Sequence, residues 1–131
     1  MIAARVPVAA GLIGLLTACG SSPTAPSSAA IVTFRVVDET FRVLLTTPAQ
    51  VEAARAAQAG GRATIPVGRV VARTQINLGW SWHLEDVTFA EATIEVCDGL
   101  PSHVEREGTR FGAGRYCPWS AVVIRIDRRV R

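Results

Sequence analysis

Lysine is absent from the chain, and all fourteen basic residues are arginine. A GC-rich coding bias accounts for that as readily as any function does. Net charge is only +3, and no basic stripe interleaved with aromatics is present, so a nucleic-acid partner is not expected. Histidine is nearly as scarce. His83 and His103 are the only two, and neither falls in an HxH or HExxH spacing, so no metal site and no metal cofactor are expected. The glycine-bearing FGAGRY segment lacks the Lys-Ser/Thr of a phosphate-binding loop, which leaves no assignable nucleotide. Long apolar runs are missing as well. The stretch from Val6 to Leu16 falls short of the ~20 residues that span a bilayer.

What is present begins with an address. Arg5 precedes the apolar stretch, which ends in Leu16-Thr17-Ala18-Cys19, a bacterial lipobox. In such precursors the Cys19 thiol receives a diacylglycerol, and cleavage falls just before it. Residues 1–18 are therefore read as a lipoprotein signal peptide, against the alternative of an ordinary signal peptide with an incidental cysteine. Several acyl chains give stable membrane anchoring where one is marginal. GSSPTAPSSAA has no apolar period and reads as a flexible tether over residues 19–30. The expected location is the cell envelope, with Gly20 after the cysteine directing outer-membrane sorting where two membranes exist.

Residues 31–131 are read as one globular domain. Apolar residues make up 49% of the sequence and charged residues 19%, enough to build a core and too apolar for disorder. IVTFRVVDETFRVLL alternates apolar and polar residues on both sides of Asp38-Glu39, predicting a hairpin with Phe34, Val36, Phe41, Val43 and Leu45 inward. Thr47, Pro48 and Gln50 form a capping box with a proline start. The helix they open runs to about Ala59, ends at Gly60-Gly61, and turns Val51, Ala54 and Gln58 inward. Further strands are predicted at 67–73, 80–85, 88–96 and 121–127, and a short second helix over LPSHVEREG. The fold class is α+β: a mainly antiparallel sheet packed by one α-helix, plus a short second helix.

The residues that look most like chemistry lie in WSWHLED, 80–86. Ser81, His83 and Glu85 alternate with Trp80, Trp82 and Leu84. On a strand, residues two apart share a face with origins roughly 6.5–7 Å apart. A nucleophile and its base must approach to about 2.6–3.2 Å, so the alternation favours a strand with its tryptophans buried over a catalytic triad. No catalytic residue is assigned. His83 and Glu85 remain candidate binding residues, with Trp119 of YCPWS. Cys97 and Cys117 are the cysteines left once Cys19 is acylated, and in an exported domain a disulfide between them is expected. The rival zinc reading, with His103 as third ligand, gives a Cys-x5-His-x13-Cys spacing that matches no common pattern.

GRVV (68–71), GWSWHLEDVTFAEATIEVCDG (79–99), Val104-Glu105 and YCPWS (116–120) resemble the N-terminal domain family of the social-amoeba calmodulin-binding protein, which has exported bacterial relatives. The resemblance runs from about Thr33 to Ile124. It implies a compact secreted domain in which the cysteines and tryptophans serve the fold, and it supplies no catalytic residues. Calmodulin is not an expected partner, because its targets are basic amphipathic helices with large apolar anchors, whereas PAQVEAARAAQA has small residues and one arginine. The expected function is a lipid-anchored, non-enzymatic binding module whose partner is an envelope protein or small ligand. The alternative is an envelope hydrolase that uses His83 with acidic residues from other strands.

Overall fold

A computed structural model describes residues 28–61, 64–91 and 96–129. The hairpin forms as the alternation predicts. β1 (Ala30–Val36) and β2 (Glu39–Leu45) pair antiparallel from Ala30↔Leu45 to Val36↔Glu39. That register places the turn at Val37-Asp38, one residue earlier than the expected Asp38-Glu39. Phe34, Val36, Phe41, Val43 and Leu45 are all buried. The C-terminal strand, β6 (Val122–Arg128), returns to pair antiparallel with β1, completing a three-stranded sheet in the order β2-β1-β6. A bulge opposite Thr33/Phe34 switches the inward residues of β6 from Ile126 to Val123 and leaves Val122 and Ile124 exposed.

Helix α1 (Pro48–Gln58) starts at the capping box read from the sequence. Thr47 Oγ1 accepts from Gln50 N at 3.2 Å, and Gln50 Oε1 accepts from Thr47 N at 3.1 Å. Val51 and Ala54 face the core, but Gln58 is exposed, contrary to expectation, and Ala57 takes the next inward position. The change follows the 3.6-residue period, since Ala57 lies three residues beyond Ala54 and carries no polar group to desolvate.

The second three-stranded sheet has the order β4-β3-β5, from β3 (Ile65–Ala72), β4 (Trp82–Ala90) and β5 (Arg115–Tyr116). Here the expectation of two strands, 80–85 and 88–96, is corrected. One strand runs through, Trp80 lies outside it, Val96 stands in a turn, and residues 92–95 lie outside the described residues. The break expected near Asp86 is a bulge, with Asp86 at φ 52° and a register shift opposite Val67/Arg69. An extra residue on one strand reverses which side chains face inward. Trp82 and Leu84 are buried before the bulge, Val87 after it, with Phe89 packed on the core. Gly68 lets the strands close there, because a Cβ at that position would lie 3.1 Å from the Glu85 carbonyl oxygen and from Leu84 Cβ.

The two sheets share one core. Phe34 stacks on Phe41 at 5.3 Å, and Phe41 reaches across to Trp82 at 5.9 Å and Tyr116 at 5.4 Å. Helix α2 (Pro101–Glu107) and a 3-10 segment (Gly108–Gly114) lead into β5 and contribute Val104 and Phe111. The FGAGRY segment, which no predicted strand or helix included, therefore ends in a short strand. Burial holds the Tyr116 hydroxyl's pKa well above its ordinary value, with the Asp98 and Glu39 charges adding to the effect. That hydroxyl donates to the Gly99 carbonyl at 2.9 Å.

The facing edges of β2 and β4 are joined by a side chain that the sequence does not advertise. Asn77 is the buried polar residue of the domain among the described residues. Its Oδ1 accepts from Arg42 N at 2.7 Å and its Nδ2 donates to the Trp82 carbonyl at 2.9 Å. Asn77→Ala would strand one donor and one acceptor away from water. A loss of about 2–4 kcal/mol is expected at ~1–3 kcal/mol per stranded group with some relaxation, read as a lower denaturant midpoint at unchanged slope.

Candidate functional site

In WSWHLED, Ser81 and His83 point their chemistry in different directions. Ser81 Oγ donates to Glu105 Oε1 at 2.9 Å, and Ser81 N donates to Glu105 Oε2 at 2.9 Å. Glu105 sits on α2, so it clamps that helix to the start of β4. A second carboxylate, Glu39, accepts from Ser102 N and Oγ, each at 2.7 Å, and fastens the first turn of the same helix. Ser81 is thus part of a structural clamp, and its proton is committed to a carboxylate on another element.

His83 is held on both ring nitrogens. Nδ1 contacts the Arg73 carbonyl, and Nε2 lies 3.0 Å from Glu85 Oε1. Both neighbours are acceptors, so only the imidazolium form donates to both at once. The carboxylate that meets His83 comes from its own strand, two residues on. A side-by-side pair of this kind converges because the long Glu85 side chain bends towards the ring. Glu85 Oε2 accepts from Arg69 Nη2 at 2.8 Å, and Asp86 Oδ2 accepts from Arg69 Nε and Nη2, each at 3.1 Å. The order of hydrogen-bonded side chains along the sheet is His83, Glu85, Arg69 and Asp86. Register produces it, since Arg69 pairs with Glu85 across β3 and β4.

The hydrogen bond from His83, and then that from Arg69, hold the Glu85 carboxyl below its ordinary pKa. The same two acids raise that of Arg69, Asp86 first. A carboxylate whose folded pKa is depressed contributes stability that is full above its unfolded pKa and is lost as pH falls through the folded one. The expected result is a small Glu85-dependent fall in melting temperature below about pH 4.3. Glu85→Gln should flatten that part of the pH–melting profile and leave the profile near neutrality parallel to that of the parent.

Beside this row lies a hollow of about 410 Å³, lined by Leu44, Thr46, Gln50, Ile76, His83 and Glu85 among others. Its volume falls in the ~300–1,000 Å³ range of ligand clefts. A second hollow of about 500 Å³, lined by Arg69, Asp86, Thr88, Thr109 and Arg115 among others, shares Asp86 with it. His83 and Glu85, expected as binding residues, are brought together here. Trp119 is not. It sits in the turn after β5 with 40% exposure, and its backbone N–H donates to Asp98 Oδ1 at 2.8 Å.

Cys97 and Cys117 form a disulfide with Cα atoms 5.1 Å apart, and both are buried against Ile65 and Val67. The zinc alternative falls with it, because each sulfur is bonded to the other. His103 instead accepts on Nδ1 from Leu100 N at 3.2 Å, at the start of α2. Among the described residues no group of three or more His, Cys, Asp or Glu side chains could hold a metal ion, and no helix is long and apolar enough to cross a membrane. The lipobox, Cys19 and most of the tether lie outside the described residues.

Sequence reasoning gave no role to Asn77, Arg69 or Glu105. Gln50 was legible as a helix cap, but its other bond, from Nε2 to the Val87 carbonyl at 2.7 Å, depends on where β4 passes. No local pattern carries that information.

The arrangement defines a disulfide-linked α+β domain with a hollow of mixed polar and apolar lining beside β2 and β4. Residues 28–129 match the model of the BP-seventy-four N-terminal domain family, and the chain belongs to that family. No curated protein and no solved structure matches the chain.

Proposed function

We propose that this is a lipid-anchored binding module of the bacterial cell envelope and that the hollow beside His83 and Glu85 is its ligand site. The observation that carries the reading is that His83 and Glu85 form part of the wall of a ligand-sized hollow while the neighbouring serine is tied to Glu105. That combination supplies recognition groups without an activated nucleophile. The ligand is an envelope protein or a small envelope component. Incubating the tagged protein with envelope extract should retain a specific component, and His83→Ala should lose it while keeping its melting temperature within a few degrees. Equal retention by parent and variant would contradict the assignment of the site.

The His83–Glu85 contact also favours a second reading, an acid–base pair of a hydrolase. A hydrolase screen of the parent separates the two, since turnover lost in His83→Ala would replace the binding reading with the enzymatic one.

Anchoring rests on Leu16-Thr17-Ala18-Cys19 and the Ser/Pro-rich segment after it. Cys19→Ser is expected to abolish metabolic labelling with fatty acid and to leave an uncleaved precursor or a protein released from membranes. Persistent labelling in that variant would remove the anchor from the proposal.

A further inference from the structure

The second hollow, of about 500 Å³, is walled by β3, β4, β5 and the 3-10 segment before β5. Register sets Arg115 of β5 directly opposite Arg69 of β3, with Glu85 of β4 opposite Arg69 on its other side. Directly opposed residues of an antiparallel pair share a face, and like charges so placed are destabilising. Arg69 is satisfied from the β4 side. Its Nε and Nη2 donate to Asp86 Oδ2, and Nη2 also donates to Glu85 Oε2. Arg115 differs: among the described residues no carboxylate and no other acceptor meets its guanidinium. On the β5 side the row therefore ends in a cation whose N–H donors are all uncommitted.

The walls add uncharged donors. Thr88 of β4 and Thr109 of the 3-10 segment both line the hollow and are exposed. Among the described residues neither hydroxyl is engaged by another side chain or by the backbone. Asp86 is the one acid on the wall among the described residues, and its Oδ2 already accepts twice from Arg69. Arg69 and Arg115 outnumber it, so the lining carries net positive charge. Two of the lining residues, Asp86 and Ala113, also hold left-handed backbone, at φ 52° and 59°. Non-glycine residues in that region are uncommon, and strained backbone of this kind gathers at binding sites.

We infer that this hollow is an oxyanion site, with Arg115 as its charged contact and Thr88 and Thr109 as hydroxyl donors. A carboxylate or phosphate there would accept a paired hydrogen bond from the Arg115 fork, the strong charge-assisted geometry of that side chain. It would also supply the negative charge that Arg115 lacks, and so relieve the repulsion between the two opposed arginines. Arg69 contributes charge rather than a new bond, because its Nε and Nη2 are committed to β4. Asp86, common to both hollows, would repel a second negative group on its side. The ligand class is a molecule that presents one carboxylate or phosphate group. This site is separate from the hollow beside His83 and Glu85, so it stands or falls independently of the function proposed above.

The test is a titration of the ¹⁵N-labelled full chain with inorganic phosphate, acetate and neutral acetamide, at ionic strength held constant with sodium chloride. Saturable shifts are expected at the Thr88, Thr109 and Arg115 amides with an anion, and none with acetamide. Either anion satisfies the inference, and the tighter of the two identifies the group that the ligand carries. Arg115→Gln should weaken the binding about tenfold or more, because a charge-assisted pair is lost. Arg35→Gln removes an equal charge from an exposed position on β1, in the other sheet, and should bind as the parent does. If the Arg115 variant does not fold, Thr109→Val decides in the same titration, with weaker binding expected. No saturable shift at these amides with either anion overturns the inference. So does an Arg115 variant that binds as the parent does, or an equal loss in the Arg115 and Arg35 variants, which would mark a general response to charge.

Discussion

Trp82→Ala is expected to be the most damaging single truncation in the domain, with a loss of ~3–5 kcal/mol. Trp82 is 1% exposed and touches both sheets. Its ring lies 5.9 Å from Phe41 on β2 and 5.6 Å, edge-on, from Tyr116 on β5. Removing it opens a cavity between rings that cannot collapse together, because each is fixed to a different strand. Among the described residues the indole Nε1–H meets no hydrogen-bond partner, so volume and aromatic contact are what the residue contributes there, and Trp82→Phe should recover much of the loss. Ser81→Ala, one residue earlier, removes only an exposed hydroxyl bond to Glu105 and should cost under about 1 kcal/mol. Thermal melts of the three variants check the ordering. A Ser81 variant as damaged as the Trp82 variant would contradict this account of the strand.

Cys97→Ala is expected to lower stability by roughly 3 kcal/mol, because the bridge closes a loop with a sequence separation of 20 residues and so restricts the unfolded chain. For a domain of this size that is a fall in melting temperature on the order of 10 °C. The bridge also holds together a satellite cluster: Ile65 and Val67 of β3 pack against the two sulfurs, and Cys117 N donates to the Cys97 carbonyl at 2.9 Å. A peptide linking Cys97 and Cys117 should appear in unreduced digests. Free alkylation of both thiols in the folded, oxidised protein would refute the pairing, and a melting temperature unchanged by Cys97→Ala would refute its contribution.

Local signals settled much of the architecture in advance. The TFRV repeats mark the hairpin because a half-buried strand must alternate. Thr47-Pro48-x-Gln50 marks the start of α1 because the first helical N–H groups need acceptors. Pro101 and Gly108 bracket α2 for the same kind of reason. At the candidate site, alternation alone separated Trp82 from His83 and argued against a triad in WSWHLED. Residues in the middle of a long irregular stretch were less legible. Asn77 sits in RTQINLGW, where an asparagine ordinarily reads as an exposed turn residue, and only the approach of β2 makes it a buried bridge.

By itself the sequence determined most of the element types, the inward faces of the hairpin, the helix starts and the α+β class, since each depends on the conformational and solvation preferences of neighbouring residues. It also carried the family resemblance in its tryptophan and cysteine segments. Tertiary structure alone decided that two expected strands are one bulged strand, that Ser81 serves Glu105 rather than His83, and that Arg69 links Glu85 to Asp86. It also placed Trp119 away from the hollow and brought the edges of β2 and β4 face to face, where Asn77 and Gln50 bridge them. Those outcomes depend on register and on contacts between residues as far apart as Arg42 and Asn77, or Gln50 and Val87. Side-chain periodicity states which face a residue occupies, but the partner across a gap is set by how separate elements pack, and no local pattern encodes that distance.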